Sequence, residues 1–179
     1  MIQVSKQPRP CRATQTALLT LALLLLSSCG YRPLIANAEL GSAIEIRLLE
    51  NISTEPGVEK LVAEALVEEF LRRGALKPRY QSGGADLVLE GRIRRVSAGH
   101  VAFSSVALAL EDEIELVLDV TVLRPSTGEV LWARSGWSRA ETFTTSGDPN
   151  VYESNKLQAL RRISAGVANR IHDELLQSF

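Results

Sequence analysis

The chain has 179 residues and a net charge of −1, with 45% hydrophobic and 23% charged residues. That is room for one ordinary domain plus a short appendage, and a globular rather than a disordered composition. Residues 1–28 carry Lys6, Arg9 and Arg12 and no acid, so the remainder holds 17 basic and 21 acidic side chains, net −4. This balance excludes a general nucleic-acid binder, whose affinity rests on many phosphate-neutralising cations.

Residues 1–28 read as a secretory signal. Lys6, Arg9 and Arg12 form a positive n-region, and the ten residues Ala17 to Leu26 form an apolar h-region. Ten residues span about 15 Å as a helix, half a bilayer core, too short for a permanent transmembrane helix. Cys11 leaves with the signal, so Cys29 is the one cysteine of the mature chain and has no partner within it. Leu26-Ser27-Ser28-Cys29 resembles the bacterial lipobox, in which small residues admit the peptidase and the thiol receives a diacylglycerol. Cys29 is therefore the expected lipidation site and membrane anchor, since two or three acyl chains hold firmly where one does not. Gly30 follows in place of the aspartate that resembles an inner-membrane retention signal, which favours the outer membrane.

Residues 29–43, with Pro33, Asn37 and Gly41 and no sustained period, read as a lipidated N-terminus and tether ahead of one domain over 44–179. Ala43 to Glu50 alternates, with Ile44, Ile46 and Leu48 on one face of a half-buried strand. Asn51 to Gly57 supplies turn and cap residues. Val58, Leu61, Val62, Ala65, Leu66 and Phe70 then recur at helical spacing, and Gly74 stands where a helix C-cap glycine belongs. Leu76 to Tyr80 is a short strand that Pro78 confines to an edge. Asp86 to Val96 and Glu113 to Leu123 alternate as strands, with residues 97–111 between them ambiguous. Arg124 to Val130 is a hairpin turn with Gly128 free to take positive φ, and Val130 to Arg139 returns as the partner strand.

A long helix is predicted from about Val151 to Leu176, capped by Asp148 or Asn150. Its buried stripe is Leu157, Leu160, Ser164, Val167, Ile171 and Leu175, and Gly166 within it suggests close approach to the sheet, at a cost of roughly 1 kcal/mol against alanine. The element order β-α-β-β-β-β-α gives an α+β two-layer sandwich: two amphipathic helices on one face of a mostly antiparallel, four- to five-stranded sheet. No internal repeat or second domain is visible.

Catalytic and cofactor signatures are missing. His100 and His172 are far apart with no second mature cysteine, which argues against zinc or another metal. There is no nucleophile elbow, phosphate-cradling loop or dinucleotide fingerprint, so neither an enzyme nor a cofactor is expected. Ser82 to Asp86 is glycine-rich but precedes a strand, as a turn does. The sharpest binding candidate is the basic cluster Arg92, Arg94 and Arg95, since guanidinium forks suit phosphorylated headgroups. The competing and favoured reading is structural. Arg92 and Arg94 share a strand face with Glu90, and the polar face of the later strand offers Glu113, Glu115 and Asp119 as cross-strand ion-pair partners. Trp132 and Trp137 are five apart, which puts them on opposite faces of a regular strand, in core or edge-capping roles ahead of a partner contact.

The assembled residues resemble the LPS-assembly lipoprotein family LptE. The likeness runs from Cys29-Gly30-Tyr31 through Glu50 to Gly74, Ala85 to Ile93 and Ser126 to Trp132, and on to the last helix with Glu153, Asn155, Ala159, Leu160 and terminal Phe179. It covers nearly the whole mature chain. The resemblance implies two helices packed on a sheet, seated as a plug in the large outer-membrane β-barrel LptD, with which the protein inserts lipopolysaccharide into the outer leaflet and which it helps to assemble. It also implies lipopolysaccharide itself as a ligand, for which Arg92, Arg94 and Arg95 are the candidate contacts. A charged sheet face would suit a polar barrel interior. The chain is also similar to small outer-membrane lipoproteins of the CsgG type, which form rings, and of the LpoB type, which activate a periplasmic synthase.

Overall fold

The computed structural model describes residues 41–79, 83–100 and 111–178, with only the backbone of His100. The signal, Cys29, nearly all of the tether and most of the ambiguous stretch 97–111 lie outside the described residues. The elements in chain order are β1 (Ala43–Ile46), β2 (Glu50–Asn51), α1 (Val58–Arg73), β3 (Lys77–Arg79), β4 (Leu87–His100), β5 (Glu111–Arg124), β6 (Glu129–Thr144) and α2 (Pro149–Gln177).

The six strands form one sheet in the order β3-β1-β4-β5-β6, and β2 pairs with β4 beyond the end of β1. The β4-β5-β6 meander is antiparallel, whereas β1 runs parallel to β3 and β4, and β2 parallel to β4. The sheet is therefore mixed, with one strand more than the sequence suggested. The parallel part follows from α1, a crossover helix that returns the chain to the sheet beside β1 in the same direction. The extra strand arises because Ala43 to Glu50 is not one strand. Ile44 is buried, but Leu48 is 59% exposed and Leu49 enters the core at 2%, so the face alternation breaks after Ile46.

Both helices lie over one sheet face and run side by side in the same direction. Their N-terminal ends are joined where Lys156 reaches Glu55 at 3.2 Å, and their C-terminal ends where Arg73 reaches Asp173 at 2.6 Å. Val58, Val62, Leu66 and Phe70 of α1 are buried with Leu160, Ile163, Val167, Ile171 and Leu175 of α2, over Leu87, Leu89 and Ile93 of β4 and Ile114, Leu116, Leu118, Val120 and Val122 of β5. Leu157 is an exception to its predicted stripe. It is 39% exposed, whereas Ala159 and Leu160 that follow are buried. Gly166 does lie close to the sheet, but a Cβ there would meet the Arg139 side chain of β6 rather than backbone.

Local signals act as their chemistry dictates. Gly74 takes φ 72° and its N–H donates to Phe70 O at 3.0 Å, closing α1. The Asp148 carboxylate accepts from Asn150 N at 2.8 Å and Pro149 occupies the first turn, opening α2. The Asn51 amide ties the approach to α1, donating to Glu55 O and to Glu59 Oε2, both at 2.8 Å. Pro78 sits in edge strand β3 as predicted. At the opposite edge, Asn155 and Arg162 of α2 donate to the β6 carbonyls of Thr144 and Thr142 at 2.8 and 3.0 Å, so the helix occupies groups that would otherwise template another strand.

Gly91 of β4 lies against β5, and a Cβ there would collide with the carbonyl oxygen of Asp119. Backbone cannot swing aside as a side-chain tip can, so Gly91→Ala should destabilise the domain by about 1–3 kcal/mol, an overpacking cost. A denaturant midpoint equal to wild type would show that the two strands do not approach so closely.

Candidate ligand-binding face

The outer face of the sheet, turned away from the helices, carries the basic cluster. Its geometry is set by two β-bulges on the strands that flank β5. In β4 the register jumps between Ile93, opposite Leu118, and Arg95, opposite Val117, leaving Arg94 as the extra residue. In β6 it jumps between Trp137, opposite Leu118, and Arg134, opposite Val120, so Ser135 and Gly136 together face Asp119. Gly136 takes φ +63°, a left-handed conformation that glycine adopts without the Cβ penalty.

Both bulges converge on the Asp119 carboxylate. Its Oδ1 accepts from Gly136 N at 2.7 Å and from Ser135 Oγ at 3.0 Å, and its Oδ2 accepts from Arg94 Nε at 2.5 Å. Arg94 also donates to Ser135 Oγ at 3.2 Å. The Gly136 N–H, followed by Arg94 and Ser135, holds the Asp119 carboxyl below the usual carboxylate range against the opposing effect of burial. The remaining arginines are committed as well. Arg95 reaches Glu115 Oε2 at 2.8 Å, and Arg92 reaches Glu50 Oε2 at 2.8 Å.

The structure thus brings Arg92, Arg94 and Arg95 to one face, each already carrying a carboxylate. Two of the predicted acids, Glu115 and Asp119, are the partners. The third partner is Glu50 of β2 rather than Glu113, because the parallel register sets Glu50 beside Arg92. By strict alternation Arg95 would point toward the helices; the bulge at Arg94 turns it outward. The same device corrects the tryptophans. The β6 bulge adds one residue between them, so both Trp132 and Trp137 stand opposite core residues, Val122 and Leu118. Trp132 is buried and Trp137 half-buried, on the same face rather than opposite faces.

Two further surfaces emerge from the tertiary structure. An open apolar groove of about 710 Å³ runs along the flank of β1 and α1, between Ile46, Leu48, Val67 and Leu71, with Glu64, Glu68 and Arg72 among its lining residues. On the helix side of β6, Arg134 bridges to Glu174, and Arg139 and Arg162 to Glu141, so that flank of α2 is ionic rather than apolar. Among the described residues no group of three or more His, Cys, Asp or Glu side chains could hold a metal ion, and no helix is long and apolar enough to cross a membrane. Cys29 lies outside the described residues.

The ion pairs make a direct prediction for the arginines. Reversing Arg92 and Arg94 to Glu sets like charges against Glu50 and Asp119. Exposed pairs contribute only about 0–1 kcal/mol each, so the double variant should fold but lose about 1–2 kcal/mol. Unchanged thermal melting would show that these contacts contribute nothing to the sheet.

No curated protein sequence matches the chain significantly. Among solved structures it is similar to a candidate lipoprotein from Caulobacter crescentus, with 17% identity, a TM-score of 0.52, and coverage of 72% of this chain and 88% of that one. It is also similar to a minor lipoprotein from Acinetobacter baumannii, with 11% identity, a TM-score of 0.46, and coverage of 77% and 93%. At such identities the first likeness speaks for the fold alone, and the second carries no argument. The sequence model of the family described as "LptE: Lipopolysaccharide-assembly" matches residues 42–175, a span that takes in every strand and helix from β1 through nearly all of α2. The chain belongs to the LptE lipopolysaccharide-assembly family.

Proposed function

We propose that this protein is an outer-membrane lipoprotein, anchored through lipid on Cys29, that pairs with the β-barrel LptD and assists delivery of lipopolysaccharide to the outer leaflet. The observation that carries this reading is the family match over residues 42–175, coextensive with the two-layer domain. The signal-like segment and the lipobox-like Leu26-Ser27-Ser28-Cys29 supply the anchor. A short tether then holds the domain close to the membrane.

The protein acts in this role by shape and surface rather than by bond-making. Its outer sheet face is polar yet internally neutralised, with Arg92, Arg94 and Arg95 each holding an acid. Such a face can sit in the wet, polar interior of a large barrel without demanding a partner charge for every one of its own. Each guanidinium has donors left over, but its carboxylate offsets the positive charge that a headgroup phosphate would seek. The arginine cluster therefore serves first as scaffold, and any contact it makes with lipopolysaccharide is secondary to that.

The test is purification of the native protein from envelopes under mild detergent, alongside a Cys29→Ala variant and with radioactive fatty-acid labelling. The wild type should incorporate label and recover a large β-barrel in equal amount, whereas Cys29→Ala should take up no label and recover little barrel while remaining folded. Label persisting in the variant would contradict lipidation at Cys29. Recovery of the wild type as a ring of its own copies, or alone, would contradict the barrel partnership.

A further inference from the structure

His172 lies on the α2 face that meets α1, with only 2% of its surface exposed. Its ring meets Phe70 of α1 edge-on, with centroids 5.1 Å apart. Neither ring nitrogen has a hydrogen-bond partner. Asp173 Oδ1 is 3.7 Å from Nδ1, beyond hydrogen-bond reach, and already accepts from Arg73 at 2.6 Å. The charged groups acting on the ring come from both helices: Glu69 and Arg73 from α1, and Asp173 from α2. Arg73 also bonds Glu69 at 2.6 Å. With its amide oriented to satisfy both ends, Asn169 accepts from Arg73 at 2.8 Å and donates to Asp173 Oδ2 at 3.1 Å.

We propose that His172 is an acid-released latch between the C-terminal halves of α1 and α2. A neutral imidazole packs against Phe70 as an aromatic spacer beneath the Glu69–Arg73–Asp173 clasp. A protonated one would bury a cation without an acceptor, beside the Arg73 guanidinium. The Asp173 carboxylate, 3.7 Å from Nδ1, is the nearest counter-charge but already serves Arg73, and closer approach to a protonated ring would draw it from the bond that ties the two helices. The N-terminal clasp, built on Glu55, Lys156 and Glu153, contains no histidine, so the response is confined to one end.

The sign and the pH window follow from the groups involved. Burial, and then the Arg73 charge, hold the His172 ring below the ordinary histidine value. The unfolded or opened state then binds the proton more readily. Packing stabilisation is complete above about pH 6.5 and drains away as the pH falls toward the lower value of the closed state. The carboxyls of Glu59, Glu69, Asp86, Asp119 and Glu174 are all displaced downward. Their contributions are lost only below the ordinary carboxylate range, at about pH 4. Between neutrality and about pH 5 the two windows are separate. His100, at the end of β4, is the other histidine, and a His100→Gln variant controls for it.

The experiment is native-state hydrogen exchange on the full-length protein at pH 7.5 and pH 5.5, expressed as protection so that intrinsic exchange cancels. The amides of residues 69–73 and 169–176 should lose protection at the lower pH, by up to about tenfold, the most that one pH unit below the ordinary histidine value allows. Residues 58–62 and 152–160 should keep theirs. His172→Phe should abolish the difference, and His100→Gln should leave it in place. Should the phenylalanine variant not fold, the wild-type ring protons read by NMR report the same quantity, and His172 should titrate below about 6.5. Equal protection at both values, a loss spread evenly along both helices, the same loss in His172→Phe, or titration at or above the ordinary histidine value would each overturn the proposal.

Discussion

The Asp119 carboxylate is the constraint on which the sheet depends. It stands midway along the central antiparallel strand and collects donors from both neighbours: Arg94 from β4, and Ser135 with the Gly136 N–H from β6. A strand with strict alternation cannot carry three irregular donors to one acceptor. The two bulges make this possible, since each inserts a residue and bends its strand at the same level of the sheet. Their second effect is on the core. The bulge in β6 restores phase so that both tryptophans face inward, and the bulge in β4 keeps Val96 buried after two successive arginines. A single outer-face carboxylate thus coordinates the register of three long strands.

On the other side of β5 the demands are simpler. Ile114, Leu116, Leu118, Val120 and Val122 form an apolar row beneath the two parallel helices. The helices meet the sheet through aliphatic groups in the middle and through ions at the margins, where Arg134–Glu174 and Arg162–Glu141 close the β6 side. A small domain with an ionic rim and a neutralised outer face is compatible with the barrel partnership proposed above. Among the described residues, the apolar groove at β1 and α1 interrupts that rim, with Leu48 and Leu71 about 60% exposed.

Much of this was legible in the sequence, and the rest was hidden for identifiable reasons. The helix over residues 58–73, its glycine cap, the hairpin at Gly128, the edge position of Pro78 and a capped start of the last helix at Asp148 or Asn150 follow from local chemistry that involves few residues at a time; the structure selects Asp148. The bulges do not, because they exist only as a mismatch between two strands; nothing within Arg92 to Val96 alone announces that Arg94 is extra. The Trp137 facing, the outward turn of Arg95 and the choice of Glu50 for Arg92 all descend from pairing. The break of Ala43 to Glu50 into two strands is likewise decided by β4, which pairs with both pieces. The arginine–acid pairing itself was foreseeable from alternating charge on adjacent strands, and Asp119 and Glu115 are among the acids that the pattern singled out.

The central claim is that Arg94 and Asp119 hold one another as part of the sheet's framework. A double-mutant cycle on folding free energy, with Arg94→Met, Asp119→Asn and the pair, measures this directly. Asp119 is three-quarters shielded and Arg94 about half exposed, so solvent screening keeps the coupling modest, about 0.5–1 kcal/mol. Asp119→Asn alone should cost more than Arg94→Met, since it also weakens the charge-assisted bonds from Ser135 and Gly136. A coupling indistinguishable from zero, with Asp119→Asn as stable as wild type, would contradict the account.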